Sequence, residues 1–338
     1  MNRLGRQLGF FLAASALAGL GGCRSLDLAK SLFHDYRSGQ AVAADHNVLF
    51  YAGDLLLRPG QTGQLSARLE TVHAFHGVSG VTVAFFLGDQ EVARGVTDEK
   101  GLARCFWRPE GAGSYRLRAR CVRLPPGIDK EERNADQAVA DLLVEVCPPQ
   151  RKFLAVDLDH TLVDESFGKV LTAQQCRYMA GSPQALTRLA GQYGIIYLTA
   201  RPDALTRKSK LWLAQCGYPP GVLITCSSLN DSLHHGGQYK SNRLASLRND
   251  FPNIQAGVGD QASDAQAYLD NDMTAYVITS AAPGSRRARK LAGELAQLDA
   301  GGRLARAGRL IVVANWAQIE QGLTRGQSFP PQAMLGRR

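Results

Sequence analysis

The chain has 338 residues, 45% of them hydrophobic and 20% charged, an ordinary globular composition with room for two domains that each bury a core. That composition excludes a disordered or fibrous chain. The net charge of +9 favours anionic partners, though taken alone it is better explained by a soluble protein that happens to be basic. No aromatic-interleaved basic patch or zinc-knuckle spacing accompanies the charge, so no nucleic acid partner is expected.

At the N-terminus, Arg3 and Arg6 precede an apolar run from Leu8 to Leu20. About 13 residues is short for a bilayer span and suits the h-region of a signal peptide. The tetrad Leu20-Gly21-Gly22-Cys23 then resembles the lipobox of bacterial lipoproteins. The resemblance implies a signal peptide over 1–23, lipidation of Cys23 and attachment of the exported protein to a membrane through it. The expected location is the cell envelope, on the periplasmic or outer-membrane face of a Gram-negative cell. A plain secretory signal or a buried N-terminal helix is the alternative. Residues 24–47 read as a polar tether. Six cysteines follow Cys23, three in each half, with no C-x-x-C spacing. Cys105 with Cys121 is the pair expected to bridge, and buried free thiols are expected of the others.

Residues 48–148 show period two. Leu65, Ala67 and Leu69 alternate with polar residues; Tyr115, Leu117, Ala119 and Cys121 alternate with Arg116, Arg118 and Arg120; Leu142, Val144 and Val146 close the series. Gly- and Pro-rich turns separate these runs, so a small all-β antiparallel sandwich is predicted, with one wet face per sheet. The stretch Thr97–Ala103 resembles the hairpin of bacterial immunoglobulin-like modules. That likeness implies an Ig-like shape and a spacer or adaptor role.

After Pro148-Pro149 the pattern changes. Apolar runs at Phe153–Val156, Ile195–Leu198, Val222–Ile224, Ile254–Val258, Tyr276–Ile278 and Leu310–Val313 read as strands buried on both faces. Helical segments lie between them, one with Ser182 as N-cap and Pro183 at N1, another opened by Asp203 and ended by Gly217. Residues 150–325 are therefore predicted to form an α/β doubly wound parallel sheet, followed by a tail over 326–338. Such a sheet binds ligands at the carboxyl ends of its strands.

Polar residues sit where those strands end. In extended chain Asp157 and Asp159 face the same way while Leu158 enters the core. Adjacent carboxylates repel unless a cation or a shared proton relieves them, and a hard divalent ion takes such oxygens. Thr199 ends the second strand, and with free N–H groups at the following helix start it makes an anion site. Lys240 opens a helix and can neutralise a phosphoryl group. Asp260 and Asp264 add two carboxylates to the same rim.

This ordered set resembles the haloacid dehalogenase (HAD) superfamily of phosphatases over about residues 152–320. The D-x-D-x-T motif is Asp157, Asp159 and Thr161; Thr199 and Lys240 are the second and third motifs; Gly259-Asp260 with Asp264 is the fourth. The resemblance implies a HAD-like Rossmannoid fold and a Mg²⁺ cofactor held by Asp157, the Asp159 carbonyl and Asp260. It also implies that Asp157 attacks phosphorus to form an aspartyl-phosphate and that Asp159 protonates the leaving oxygen and then activates water. Thr199 and Lys240 would hold the phosphoryl oxygens, and Asp264 would orient the metal shell or Lys240.

About 40 residues separate Asp157 from Thr199, and about 40 more reach Lys240, which leaves no room for a large cap domain. An open site suits a headgroup on a membrane. Tyr197–Pro202, Leu205–Arg207 and Tyr218–Thr225 resemble the lipin-type phosphatidate phosphatase branch, which carries glycine where this chain has His160. That resemblance makes Thr161, Arg201 and His160 substrate-binding candidates, while Arg207 reads as a solvated helix arginine. A phosphate-ester substrate, phosphatidate-like in the first instance, is expected. A broad-specificity envelope acid phosphatase and a non-catalytic lipid-binding module are the alternatives. His234-His235 and the basic run Arg286, Arg287, Arg289 and Lys290 read as solvated, and Asn315-Trp316 as the packing anchor of the closing helix.

Overall fold

The protein is described by a computed structural model over residues 48–72, 76–128, 130–165, 169–170 and 176–327, with residues 44 and 329. The signal peptide, Cys23, the tether and most of the tail read from the sequence lie outside these residues. Among the described residues no helix is long and apolar enough to cross a membrane. The chain forms two compact units, one running to Cys147 and including Asp203–Trp212, the other containing Pro148–Glu165, Arg177–Pro202 and the chain from Leu213.

The first unit contains β1 (Val48–Ala52), β2 (Leu55–Leu57), β3 (Gly63–Thr71), β4 (Thr82–Leu87), β5 (Gln90–Val96), β6 (Leu102–Trp107), β7 (Gly113–Arg123) and β8 (Val139–Val146). They make a three-stranded sheet, β1-β3-β6, and a five-stranded sheet, β2-β8-β7-β4-β5. Period-two sequence becomes period-two burial: Leu117, Ala119 and Cys121 of β7 enter the core while the arginines between them face outward. Both sheets share one core that includes Phe50, Leu65 and Leu69 from one and Phe85, Leu142 and Val144 from the other. On the outer face the Arg120 guanidinium lies 5.5 Å from the Phe86 ring centre, covering apolar surface with a cation.

Three expectations are corrected here. The edge pair β2–β8 is parallel, so the sandwich is not purely antiparallel. The stretch Thr97–Ala103 is not a hairpin within one sheet. It carries the chain from β5 in one sheet to β6 in the other, with Asp98 Oδ1 accepting the N–H groups of Lys100 and Leu102. Gly101 has φ +71°, and a Cβ there would stand 2.0 Å from the Leu69 carbonyl, so the turn closes against β3 only with glycine. Cys105 and Cys121 are free thiols on strands of different sheets. Burial pushes Cys105 up to about 11 and Cys121 up to about 12, which keeps both protonated and unreactive.

Asp203–Trp212 groups with this unit because its cations are satisfied there. Lys210 Nζ donates to Asp54 Oδ1 at 2.6 Å, to the Asp141 carbonyl at 2.8 Å and to the Ala52 carbonyl at 3.0 Å. Arg207 Nη1 donates to the Val139 carbonyl at 2.6 Å, so Arg207 is not the solvated arginine read from the sequence. Buried Glu70 accepts from the Tyr51 hydroxyl at 3.2 Å, and burial pushes its pKa from 4.5 to about 7 despite nearby Arg68. A carboxyl whose folded pKa is raised holds its proton more tightly when folded, so stability falls as pH rises from about 4.5 through about 7. Glu70→Gln should therefore raise stability by about 1–2 kcal/mol at pH 8 and change it little at pH 4.5, as read by urea unfolding.

The second unit holds six parallel strands: β9 (Phe153–Val156), β10 (Gly194–Pro202), β11 (Val222–Cys226), β12 (Ile254–Gly259), β13 (Thr274–Ile278) and β14 (Leu310–Val313). Each contains an apolar run read from the sequence, and burial on both faces explains the lack of alternation. Their order is β11-β10-β9-β12-β13-β14, a doubly wound sheet whose direction of growth reverses between β9 and β12. The carboxyl ends of those two strands border the crevice where such sheets bind ligands.

The helices are α1 (Ser182–Leu189), α2 (Thr206–Gln215, most of it in the first unit), α3 (Leu229–His234), α4 (Gly236–Asp250), α5 (Ala262–Asp270), α6 (Arg286–Leu298), α7 (Arg303–Arg306) and α8 (Trp316–Arg325). Gly181, with φ +77°, is the N-cap of α1, and Ser182 is its first residue, with its hydroxyl donating to the Met179 carbonyl at 2.6 Å. The stretch from Asp203 is a 3-10 turn before α2 rather than the helix start itself. Between Thr199 and Lys240 the chain contains the end of β10, the 3-10 turn from Asp203, α2, β11, α3 and the first residues of α4. Of the interval before Thr199, residues 166–168 and 171–175 lie outside the described residues.

Candidate active site

The site is built on the rim of β9 and β12. The Asp157 N–H donates to the Val258 carbonyl at 2.9 Å, which extends the ladder one bond past β9 and fixes the aspartate at the switch point. Leu158 is fully buried, as its alternation requires. The chain then turns sharply: the N–H groups of Leu162 and Val163 converge on the Leu158 carbonyl at 2.8 and 2.9 Å. His160 sits at φ +57°, a left-handed conformation that glycine adopts without strain and histidine does not.

The turn separates the two carboxylates that extended chain would have kept together. Asp157 Oδ1 accepts from Lys240 Nζ at 2.7 Å, and the same ammonium donates to Asp264 Oδ1 at 2.6 Å. Asp159 is instead held by Arg201, Nε to Oδ2 at 2.9 Å and Nη2 to Oδ1 at 2.8 Å. The Arg201 side chain is 2% exposed and that of Asp159 23%, so this is a half-buried fork-to-fork pair in which the arginine is already engaged. Burial works to raise the Asp159 pKa, but the Arg201 charge and hydrogen bonds win and lower it. Asp159 thus stands apart from the carboxylates that could share an ion.

Those carboxylates are Asp157, Asp260 and Asp264, whose ligand atoms lie within 4.8 Å of one another. Asp260 Oδ2 accepts from Arg287 Nη2 at 3.1 Å, while its buried Oδ1 has no hydrogen-bond partner among the described residues. Asp264 Oδ2 accepts the N–H groups of Asp260 and Gln261, both at 3.2 Å, so Asp264 ties the loop to Lys240. With both its oxygens engaged, Asp264 is suited to orient the cluster. Burial drives the Asp157 pKa up to about 7 against the pull of Lys240, and burial with Asp264 and Asp157 drives Asp260 up to about 8. Desolvation opposes the Lys240 charge, yet Asp157 and Asp264 raise its pKa well above the ordinary value. An all-oxygen cluster with an orphaned buried oxygen and carboxyls pushed toward neutrality fits a hard divalent cation.

Two glycines let these groups approach. A Cβ on Gly259 would stand 2.5 Å from Asp264 Cβ and 2.6 Å from its Oδ2, and one on Gly257 would stand 2.3 Å from the Tyr268 ring. Gly259→Ala should destabilise the second unit by about 2–3 kcal/mol in urea unfolding, because the clash is with the carboxylate carrying the Lys240 bond.

Thr161 and Thr199 are both buried. Thr161 Oγ1 lies 3.5 Å from Asp157 Oδ2, and Thr199 Oγ1 accepts the Arg201 N–H at 3.2 Å. The β10–β11 register breaks between Leu198 and Pro202, so Thr199 and Arg201 sit on a strand irregularity, not at a helix start. Lys240 lies one turn inside α4 and is 5% exposed. His234 and His235 are exposed, as read from the sequence.

Residues 155–279 match the family model of the PITM 1-3 LNS2 domain. A human relative, membrane-associated phosphatidylinositol transfer protein 1, is 32% identical over 150 residues, which are 43% of this chain and 10% of that protein. The chain therefore spans about a tenth of the length of this relative. Among solved structures, D,D-heptose 1.7-bisphosphate phosphatase from B. bronchiseptica, complexed with magnesium and phosphate, is similar at 18% identity and TM-score 0.36. It covers 52% of this chain and 99% of its own. The CARDB domain of the PF1109 protein from Pyrococcus furiosus is similar at 15% identity and TM-score 0.23, covering 30% of this chain and 87% of its own.

Two residues have contacts at the site beyond those read from the sequence. Trp316, fully buried at the start of α8, donates Nε1–H to the Thr161 carbonyl at 3.0 Å and so braces the loop carrying Asp157. Arg287 was read as part of a solvated helix face, yet it reaches Asp260. A helix that follows a strand of a doubly wound sheet starts on the carboxyl rim, and that rule could have found Arg287 in the first turn of α6.

Proposed function

We propose that the second unit is a Mg²⁺-dependent phosphomonoester hydrolase whose nucleophile is Asp157. The observation that carries this reading is the buried Asp157–Lys240–Asp264 bridge at the switch point, with the orphaned Asp260 Oδ1 beside it. The match of residues 155–279 to the family model of the PITM 1-3 LNS2 domain is consistent with a phosphate-ester site, and the name of the human relative directs attention to lipid substrates.

Asp157 and Asp260 would hold the ion, oriented by Asp264. Bound there, Mg²⁺ offsets the repulsion between the nucleophile and the phosphate. Asp157 attacks phosphorus, the ester oxygen leaves, and an aspartyl-phosphate forms. Lys240 keeps Asp157 aligned and stabilises negative charge on the phosphoryl oxygens, with the Thr199 hydroxyl beside it. Asp159 delivers a proton to the leaving oxygen and later takes one from the water that hydrolyses the intermediate. Because Arg201 holds Asp159 ionised, proton delivery requires Arg201 to exchange Asp159 for an anionic oxygen of the substrate and the released Asp159 to take up a proton from solvent before it passes it to the leaving oxygen. Thr161 and His160 border the same loop.

The substrate class we favour is phosphatidate-like or another membrane-associated phosphate ester. The first unit would serve as a spacer, and lipidated Cys23 would tether the protein to the envelope. One observation favours a second reading, a non-catalytic lipid-phosphate-binding module: the forked Arg201 pair keeps the acid of the reaction unprotonated.

Phosphate release from phosphatidate vesicles and from p-nitrophenyl phosphate, each with Mg²⁺, separates these possibilities. Faster release from vesicles supports the lipid enzyme, while comparable release from both supports a broad phosphatase. Vesicle binding with no release from either ester leaves only the binding module.

A further inference from the structure

The two oxygens of Asp260 have unequal surroundings. Oδ2 accepts from Arg287 Nη2 at 3.1 Å, Oδ1 is buried with no hydrogen-bond partner among the described residues, and one Asp260 oxygen lies within 4.8 Å of ligand atoms of Asp157 and Asp264. The Asp260 side chain is 5% exposed while that of Arg287 is 53% exposed, so the arginine reaches in from the surface of α6 to grip one oxygen of a buried group. The grip is anchored at its base. Ser285 caps α6 by accepting the Ala288 N–H at 3.2 Å, and Ala288 is fully buried, which fixes where the Arg287 backbone stands. A carboxylate gripped at one oxygen cannot turn freely about its last torsion, so its other oxygen keeps one direction.

We propose that Arg287 is a positioning residue for the cation site, holding Asp260 so that Oδ1 faces the Asp157–Asp264 pair. The inference rests on the divalent-ion reading of that cluster. It differs from a simple charge effect in sign. Arg287 is a cation beside a cation site, so by Coulomb's law its removal should tighten binding of a second cation. If its role is to orient a ligand, its removal should weaken binding, because outer partners of metal ligands affect metal affinity about tenfold to a hundredfold.

The experiment is calorimetric titration of the full chain with Mg²⁺ alone, without substrate, at fixed ionic strength. The proteins are wild type, Arg287→Gln, Arg287→Lys and, as a control for lost surface charge, Arg289→Gln. Arg287→Gln should raise the Kd for Mg²⁺ at least about tenfold, Arg287→Lys less, and Arg289→Gln not at all. Circular dichroism of Arg287→Gln should be unchanged, since glutamine is a good helix former at an exposed position. Equal or tighter Mg²⁺ binding by Arg287→Gln, with wild type binding normally, overturns this inference alone. Absence of Mg²⁺ binding by wild type overturns the divalent-ion reading and this inference with it.

Discussion

Asp157→Asn should reduce phosphate release by a factor on the order of 10⁴ or more while leaving thermal stability equal to wild type or higher. The two halves of that expectation have separate causes. The amide has nearly the shape of the carboxylate and can still accept the Lys240 bond through its oxygen, but it is a poor nucleophile toward phosphorus. Stability should not suffer, because the carboxylate it replaces is a costly group. Asp157 is 4% exposed, shares the Lys240 ammonium with Asp264, and has its pKa pushed up to about 7 even with that ammonium 2.7 Å away. A residue kept for structure alone would cost stability when changed; one kept for chemistry would not. The check is initial rates on the best ester found, with melting temperatures of both proteins in the same buffer. Equal phosphate release by wild type and Asp157→Asn from every ester tried would remove the enzyme reading.

Lys240→Met should behave in the opposite way, costing about 3–5 kcal/mol of stability at pH 8 in the presence of a chelator. The ammonium is 5% exposed and bridges Asp157 Oδ1 and Asp264 Oδ1 at 2.7 and 2.6 Å. Methionine fills the volume but leaves two buried carboxylates facing each other without a counter-charge. The loss must depend on pH. With Lys240 present the Asp157 pKa is already about 7 when folded, and removing the cation raises it further. A folded carboxyl that prefers its proton loses stability as pH rises, so the deficit should be largest at pH 8 and shrink toward pH 5. Urea unfolding at both values measures it, and a deficit under about 1 kcal/mol at pH 8 would mean that the cluster is not a buried charge network.

The elements most legible in the sequence were those in which one local pattern has one structural meaning. An apolar run of three to five residues flanked by helices is best satisfied inside a covered parallel sheet, and all six such runs lie in its strands. The D-x-D-x-T and G-D-x-x-x-D spacings likewise placed Asp157, Asp260 and Asp264 on one rim, where they meet within 4.8 Å. What failed were inferences that depended on the partner. Asp157 and Asp159 were expected to project together because extended chain has period two, but the chain turns at Leu158 and His160 and the carboxylates find different cations. Thr97–Ala103 looks like a local hairpin in sequence, but the strands on either side hydrogen-bond in different sheets.

By itself, then, the sequence determined the doubly wound sheet, the β-rich first unit and three of the four carboxylates expected to cluster, because periodicity and spacing are local properties of the chain. Only the tertiary structure decided which cation holds which carboxylate: Lys240 on Asp157, Arg201 on Asp159 and Arg287 on Asp260. The reason is physical. A charge is stabilised by whatever opposite charge lies within a few ångströms in a poorly polarisable interior, and that distance bears no relation to separation along the chain. Arg201 stands 42 residues from Asp159, Lys240 stands 83 from Asp157, and nothing in their local sequence names the partner.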